Sequence, residues 1–160
     1  MLSYDLGRYV VVGENEKLVR RLVQESVNAN RPDLLELMVA RHVRVHPGTP
    51  GADPDAEGIE ELKVAFGRFH VAIPDLHIAL EDVIAAGDRV AARWTATGSH
   101  RGELAGIPAT GRTVRWGGID VYRFDDGMIV EWWRNDDFVG LLHQLGLDPL
   151  RAASPASHDR

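Results

Sequence analysis

The chain has 160 residues, no cysteine and a formal net charge of −6, and each figure excludes something. One domain is expected at this length, large enough to bury its own core; the missing Cys rules out a disulfide scaffold and Cys-ligated zinc or iron–sulfur sites. The acidic balance argues against nucleic-acid binding, and no segment approaches the ~20 apolar residues of a membrane span. No signal-peptide core is visible either, so a cytoplasmic location is expected.

Residues 1–13 show no helical period, and Tyr9–Val12 reads as an arm or an edge strand. From Glu14 the spacing changes: Leu18, Leu22, Val23 and Val27 form the apolar stripe of an amphipathic helix. Asn28–Pro32 ends it, and Asp33 is placed to cap a short second helix. His42–His46 alternates as a strand. Pro47–Gly58 is a Pro- and Gly-rich loop, and Ile59, Leu62, Ala65, Phe66 and Phe69 return to helical spacing until Pro74. Strands follow over Leu76–Ile84, Val90–His100, Val114–Phe124 and Met128–Asn135, the last two joined by the turn Asp125-Asp126-Gly127. Phe138–Leu145 is a final helical turn or two, and a polar tail closes the chain. The expected organisation is an arm at 1–13, one domain at 14–147 and a flexible tail at 148–160. Helices followed by hairpin-linked strands indicate an α+β fold, a curved, mostly antiparallel sheet closed by helices around a pocket.

Alternation assigns strand faces. On the Val90 strand the even positions Val90, Ala92, Trp94, Ala96, Gly98 and His100 are the more apolar and are placed inward. On the next strand Val114, Trp116, Gly118, Asp120, Tyr122 and Phe124 face inward. A carboxylate among aromatic rings is expensive unless partnered, which makes Asp120 a functional candidate. On the last strand both faces carry a Trp and a charge, so periodicity does not choose between Trp132 and Arg134 on one side and Glu131 and Trp133 on the other.

Three segments carry a resemblance: His100-Arg-Gly-Glu-Leu-Ala-Gly-Ile-Pro-Ala-Thr-Gly111, Gly118-Ile-Asp-Val-Tyr-Arg-Phe-Asp-Asp-Gly-Met-Ile-Val-Glu131 and Asp137-Phe-Val-Gly-Leu-Leu-His-Gln-Leu-Gly146. Over about 14–146 the chain resembles the SnoaL-like polyketide cyclases. The resemblance implies the conical NTF2-like barrel shared with ketosteroid isomerase and limonene epoxide hydrolase. It also implies a cofactor-free ring closure by intramolecular aldol condensation. In that family an Asp on the last strand, three residues before the Asp-Phe pair, works as acid/base beside a His on the neighbouring strand. Here those positions are Arg134 and Asp120, so the carboxylate has moved to the adjacent strand and a cation faces it. This alignment turns Arg134 inward.

Arg134 should lower the pKa of Asp120 and leave it ionised, a base with an electrostatic partner for a developing enolate or alkoxide. A structural salt bridge is the competing reading. Trp94, Trp116, Trp132 and Tyr122 would form an aromatic box with His46 and His100 at its polar rim, while Ser26, Ala65 and Phe69 add substrate contacts from the helices. His100 also suits hydrogen bonding to the Gly106–Gly111 loop. His42 and His46 lie on a strand with no third ligand, so no metal site is expected, and no cofactor. The expected substrate is a hydrophobic, oxygenated small molecule of secondary metabolism that is cyclised or isomerised. Epoxide opening, with Asp136 or Asp137 as a second acid, and non-catalytic small-molecule binding are the alternatives. The open face of such a cone suits a second copy, so a homodimer or higher oligomer is expected, with Trp133 outward at the contact.

Overall fold

The computed structural model describes residues 7–46 and 58–147, with side chains from Gly13 onward. The Pro- and Gly-rich loop from 47 to 57 and the tail from 148 lie outside the described residues.

Helix α1 (Gly7–Arg21) begins seven residues before the stripe that predicts it. Tyr9–Val12 is therefore helical rather than an arm or strand. Propagating a nucleated helix costs little per residue, even through β-branched side chains. Beyond Arg21 the helix widens into a π-helical stretch, Leu22–Asn28, that buries Leu22, Val23, Ser26 and Val27. It ends where Asn30 takes φ 52°. The next segment, Pro32–Leu37, is a 3-10 helix without a side-chain cap. Asp33 does not cap it, because its carboxylate accepts from Arg31 Nε and Nη2 at 2.9 and 2.7 Å.

Strands β1 (Val39–His46), β2 (His77–Ala86), β3 (Arg89–Ser99), β4 (Thr113–Asp125) and β5 (Met128–Asp136) form one sheet in the order β1-β5-β4-β3-β2. Only β1 and β5 pair in parallel. The sheet curves without closing on itself, so it is not a barrel; helices complete the enclosure. Helix α2 (Ile59–Ala72) packs on β1, α1 on β2 and β3, and α3 (Phe138–Gln144) on β4.

Burial follows the predicted parity on β3 and β4, whose even positions from Val90 to Ala96 and at Val114, Trp116, Asp120, Tyr122 and Phe124 are buried. On β5 the parity changes partway. Phe124 pairs with Ile129 but Arg123 with Glu131, so Val130 is an extra residue. Ile129 thus faces inward before this point, and Trp132 and Arg134 after it.

Two features close the edges of this frame. At the outer strand β2, the Asn28 side-chain amide bonds both backbone groups of Ile78, donating from Nδ2 to the carbonyl at 2.9 Å and accepting the N–H at 2.7 Å. After β3, Leu104 and Ile107 bridge across a tight turn whose central residues Ala105 and Gly106 have φ 51° and 80°. That turn anchors the Gly-Ile-Pro-Ala-Thr-Gly loop against the core. No helix among the described residues is long and apolar enough to cross a membrane.

The core divides into two clusters. One gathers α1, β1, the start of α2, Tyr122, Phe124 and Trp132. The other gathers the end of α2, Trp94, Trp116, Val114, Leu104 and α3.

Candidate active site

Where the two clusters meet, a small cleft, much of whose empty space is open solvent, is lined by Val27, Phe66, Phe69, Leu76, Ile78, Trp94, Trp116, Arg134 and Asp136. Phe69 stacks on Trp116 at 6.3 Å with the rings 19° apart. Trp94 owes its position to Gly118, its cross-strand partner. A Cβ on Gly118 would lie 2.5 Å from Trp94 Cζ2 and 2.8 Å from the Asn135 carbonyl oxygen, so only glycine admits the indole here.

Asp120 lies one layer behind these walls, 3% exposed, and is the only buried carboxylate among the described residues. Its Oδ2 accepts from the Tyr122 hydroxyl at 3.3 Å, while Oδ1 has no partner. The indole N–H groups of Trp132 and Trp94 help to hold its charge, yet neither nitrogen reaches hydrogen-bond geometry with any acceptor. Arg134 is the cross-strand partner of Asp120. Its guanidinium carbon, however, sits over the rings of Trp132 and Phe66 at 5.3 and 5.4 Å. No ion pair joins the two residues, so the structural salt bridge weighed from the sequence is not formed.

The expected direction of the Asp120 pKa is therefore reversed. Burial raises it above its ordinary 3.8, and the attraction of Arg134 offsets this only in part. Removing a carboxylate from water costs more than a cation seated over rings returns. Tyr122, fully buried beside Asp120, is raised well above 10.0, first by burial and then by that neighbouring charge.

The other candidates lie in different places. Trp94, Trp116 and Phe69 line the pocket, and Trp132 and Tyr122 form the layer beneath, their rings 4.8 Å apart. Ser26 is buried but donates its hydroxyl to the Arg31 carbonyl at 3.0 Å, holding the turn after the π-helical stretch. Ala65 is half-buried on α2 and does not line the pocket. His100 is fully buried away from it: its Nδ1 accepts the Thr110 N–H at 3.2 Å and lies 3.0 Å from that hydroxyl, which fixes the loop.

His46 requires a correction. It lies on the opposite face of the sheet from Asp120, stacked on Trp133 at 5.1 Å, with Nε2 2.8 Å from Glu131 Oε1. Val43 and Val45 take the inward positions of β1, so alternation sends His46 outward. Of the two second-acid candidates, Asp136 lines the pocket, whereas Asp137 caps α3 through the Gly140 N–H at 2.8 Å. Sequence reading missed Val27, Phe66, Leu76 and Ile78 as pocket walls. Their apolar spacing identifies them as interior but does not distinguish a wall from a filled core.

The open, helix-covered sheet and its aromatic pocket define an α+β protein of the cone-shaped class. The chain belongs to the SnoaL-like polyketide cyclase family, whose model matches residues 17–145. It is 30% identical over 130 residues to the aklanonic acid methyl ester cyclase DauD of Streptomyces sp. (strain C5), covering 81% of this chain and 80% of that one. TsrD from Streptomyces laurentii superposes with a TM-score of 0.74 at 30% identity, covering 84% of this chain and 96% of TsrD. A SnoaL-like polyketide cyclase from Jannaschia sp. CCS1 has a TM-score of 0.77 at 22% identity, over 91% of this chain and 96% of its own, and shares the fold.

Proposed function

We propose that the chain is a cofactor-free cyclase in which Asp120 moves the proton of an intramolecular aldol closure. One observation carries this reading: among the described residues a single carboxyl is buried, behind an aromatic pocket, with one oxygen unpartnered and a pKa raised by burial. A raised carboxyl is a stronger base once ionised and a usable acid afterwards. In the reaction, Asp120 takes a proton from a C–H activated by neighbouring carbonyls. The resulting enolate carbon attacks a ketone of the same molecule, the new C–C bond forms, and the alkoxide recovers the proton from Asp120. Arg134 and the unpartnered indole N–H groups are placed to stabilise negative oxygen as it develops. Arg134, which forms no ion pair among the described residues, lies over Phe66 and Trp132 as the cross-strand partner of Asp120, and its displacement by substrate would admit the reacting carbon to Asp120.

The test uses aklanonic acid and its methyl ester in D2O. Mass spectrometry follows deuterium entry at the activated carbon and chromatography follows ring closure. Asp120→Asn should lower both rates by about a hundredfold or more. Full turnover by that variant would overturn the assignment.

We further infer a homodimer through the outer sheet face. Ile84, Ala91, Val121, Trp133 and His46 are successive cross-strand partners and make one row across all five strands. Ile84 and Ile119 are 66% and 52% exposed there. Arg89, Arg93, Asp82, Arg123 and Glu131 flank the row with both signs of charge, which suits a patch that meets its own copy.

A further inference from the structure

The cleft as it stands encloses little more than water, so a ligand of several rings enters only if a wall moves. Most walls are fixed. Trp94, Trp116, Arg134 and Asp136 stand on β3, β4 and β5, each bonded to a strand on both sides. Phe66 and Phe69 stand on α2, whose last turn is tied at the Ala72 carbonyl by the N–H groups of Arg101 and Gly102 at 2.8 and 3.0 Å. Val27 is carried differently, on the π-helical stretch Leu22–Asn28. Among the described residues that stretch is hydrogen-bonded to the sheet at one place, where the Asn28 amide holds both backbone groups of Ile78. Ile78 is itself a wall of the cleft and lies on the marginal strand β2. The exit of the stretch is closed on itself: the Arg31 N–H donates to the Ser26 carbonyl at 2.8 Å, and the Ser26 hydroxyl donates to the Arg31 carbonyl at 3.0 Å. The end of the stretch can therefore move as one piece once Asn28 lets go.

We propose that the π-helical stretch is the gate of this cleft and that Asn28 is its latch. A π-helical turn bonds i to i+5 and so holds one residue more than an α-helical turn. Taking that surplus up into α geometry slips the residues beyond it by one position, about 100° around the helix axis. Val27 then leaves the wall, Asn28 leaves Ile78, and the cleft opens between the stretch and β2. Closing restores both hydrogen bonds and covers what has entered. The inference rests on the cleft being the substrate site, as proposed above, and adds how that site is entered.

The experiment reads the gate first without substrate and then with it. Amide hydrogen exchange of the full chain is followed residue by residue. The Ile78 N–H, held by Asn28, should exchange together with the amides of Leu22–Asn28 and at least about tenfold faster than those of β3 and β4. Exchange at Ile78 as slow as in β3 and β4 would overturn the proposal, and this arm needs no variant. Acrylamide quenching in a Trp133→Phe background, which removes the outer-face emitter, reads access to Trp94 and Trp116. Asn28→Ala deletes both latch bonds and should raise that quenching about tenfold, with cooperative urea unfolding as the check that the variant is folded. Unchanged quenching would also overturn the gate. With aklanonic acid methyl ester, stopped-flow tryptophan fluorescence should show entry accelerated by about the same factor in Asn28→Ala; entry at the parent's rate would mean that the ester takes another route and would sink the proposal. Asp120→Asn separates the two readings. It should leave exchange and quenching as in the parent, and full turnover by that variant would remove the catalytic assignment without touching the gate.

Discussion

Asp120 trades stability for chemistry, and the trade depends on pH. Its folded pKa is raised above its unfolded 3.8, so the native state binds the proton more tightly. The burial penalty is therefore fully present above the raised pKa and is relieved as pH falls toward 3.8. Asp120→Asn should raise the Tm at neutral pH, and the gain should shrink steadily on acidification; a gain that persisted unchanged at pH 4 would contradict a raised pKa. Position and protonation were unequally legible here. Unbroken alternation on β3 and β4 places Asp120 among Trp94, Trp116 and Tyr122 from sequence alone. The direction of its pKa depends on where the Arg134 guanidinium lies, over two rings rather than on the carboxylate, and a rotamer leaves no trace in composition or spacing. His46 teaches the converse. Its own strand, with Val43 and Val45 inward, sends it outward; the family resemblance, not the alternation, put it at the pocket rim.

At the scale of elements, β4 and β5 work as a measured pair. The extra residue at Val130 lets Ile129 and Trp132 both face the core, three positions apart on a strand whose faces ordinarily repeat every two. That is why neither parity was right for the whole strand, because a bulge is a property of two strands and the sequence displays one. Gly118 is the other fitted point. Gly118→Ala should displace the Trp94 indole, cost about 1–3 kcal/mol in urea unfolding and shift tryptophan emission. Helix α3 is held at its start by Asp137 and along its length by Gln144, whose amide exchanges hydrogen bonds with both backbone groups of Arg115. Asp137→Ala should cost about 1 kcal/mol and raise amide exchange in α3. Helix existence and strand order of appearance were readable from periodicity. The onset of α1 was not, because a run of β-branched residues follows an established helix as readily as it forms a strand.

For the whole molecule, the division into two clusters matters more than the size of the core. The pocket is the seam between them, lined, apart from Arg134 and Asp136, by residues that would pass for ordinary interior in any hydropathy pattern. Legibility ended there: the stripes of α1 and α2 announce burial, and only three-dimensional packing shows which buried side chains leave a gap. The proposed dimer uses the other side of the same sheet. Trp133→Arg with Ile119→Glu should convert a dimer to monomer in light scattering and leave ring closure at the pocket on the inner face unchanged; a parent chain that is already monomeric would remove the dimer.

The amide of Asn28 occupies the backbone donor and acceptor of Ile78 that an incoming strand would otherwise seek. One side chain thereby stands in for a neighbouring strand at the sheet's margin. Assembly is steered toward the broad face and away from ribbon-like stacking, so a population of these molecules should stop at discrete particles instead of lengthening into fibrils. Asn28→Ala, which reopens that margin, is the place to look for the first loss of colloidal stability on storage.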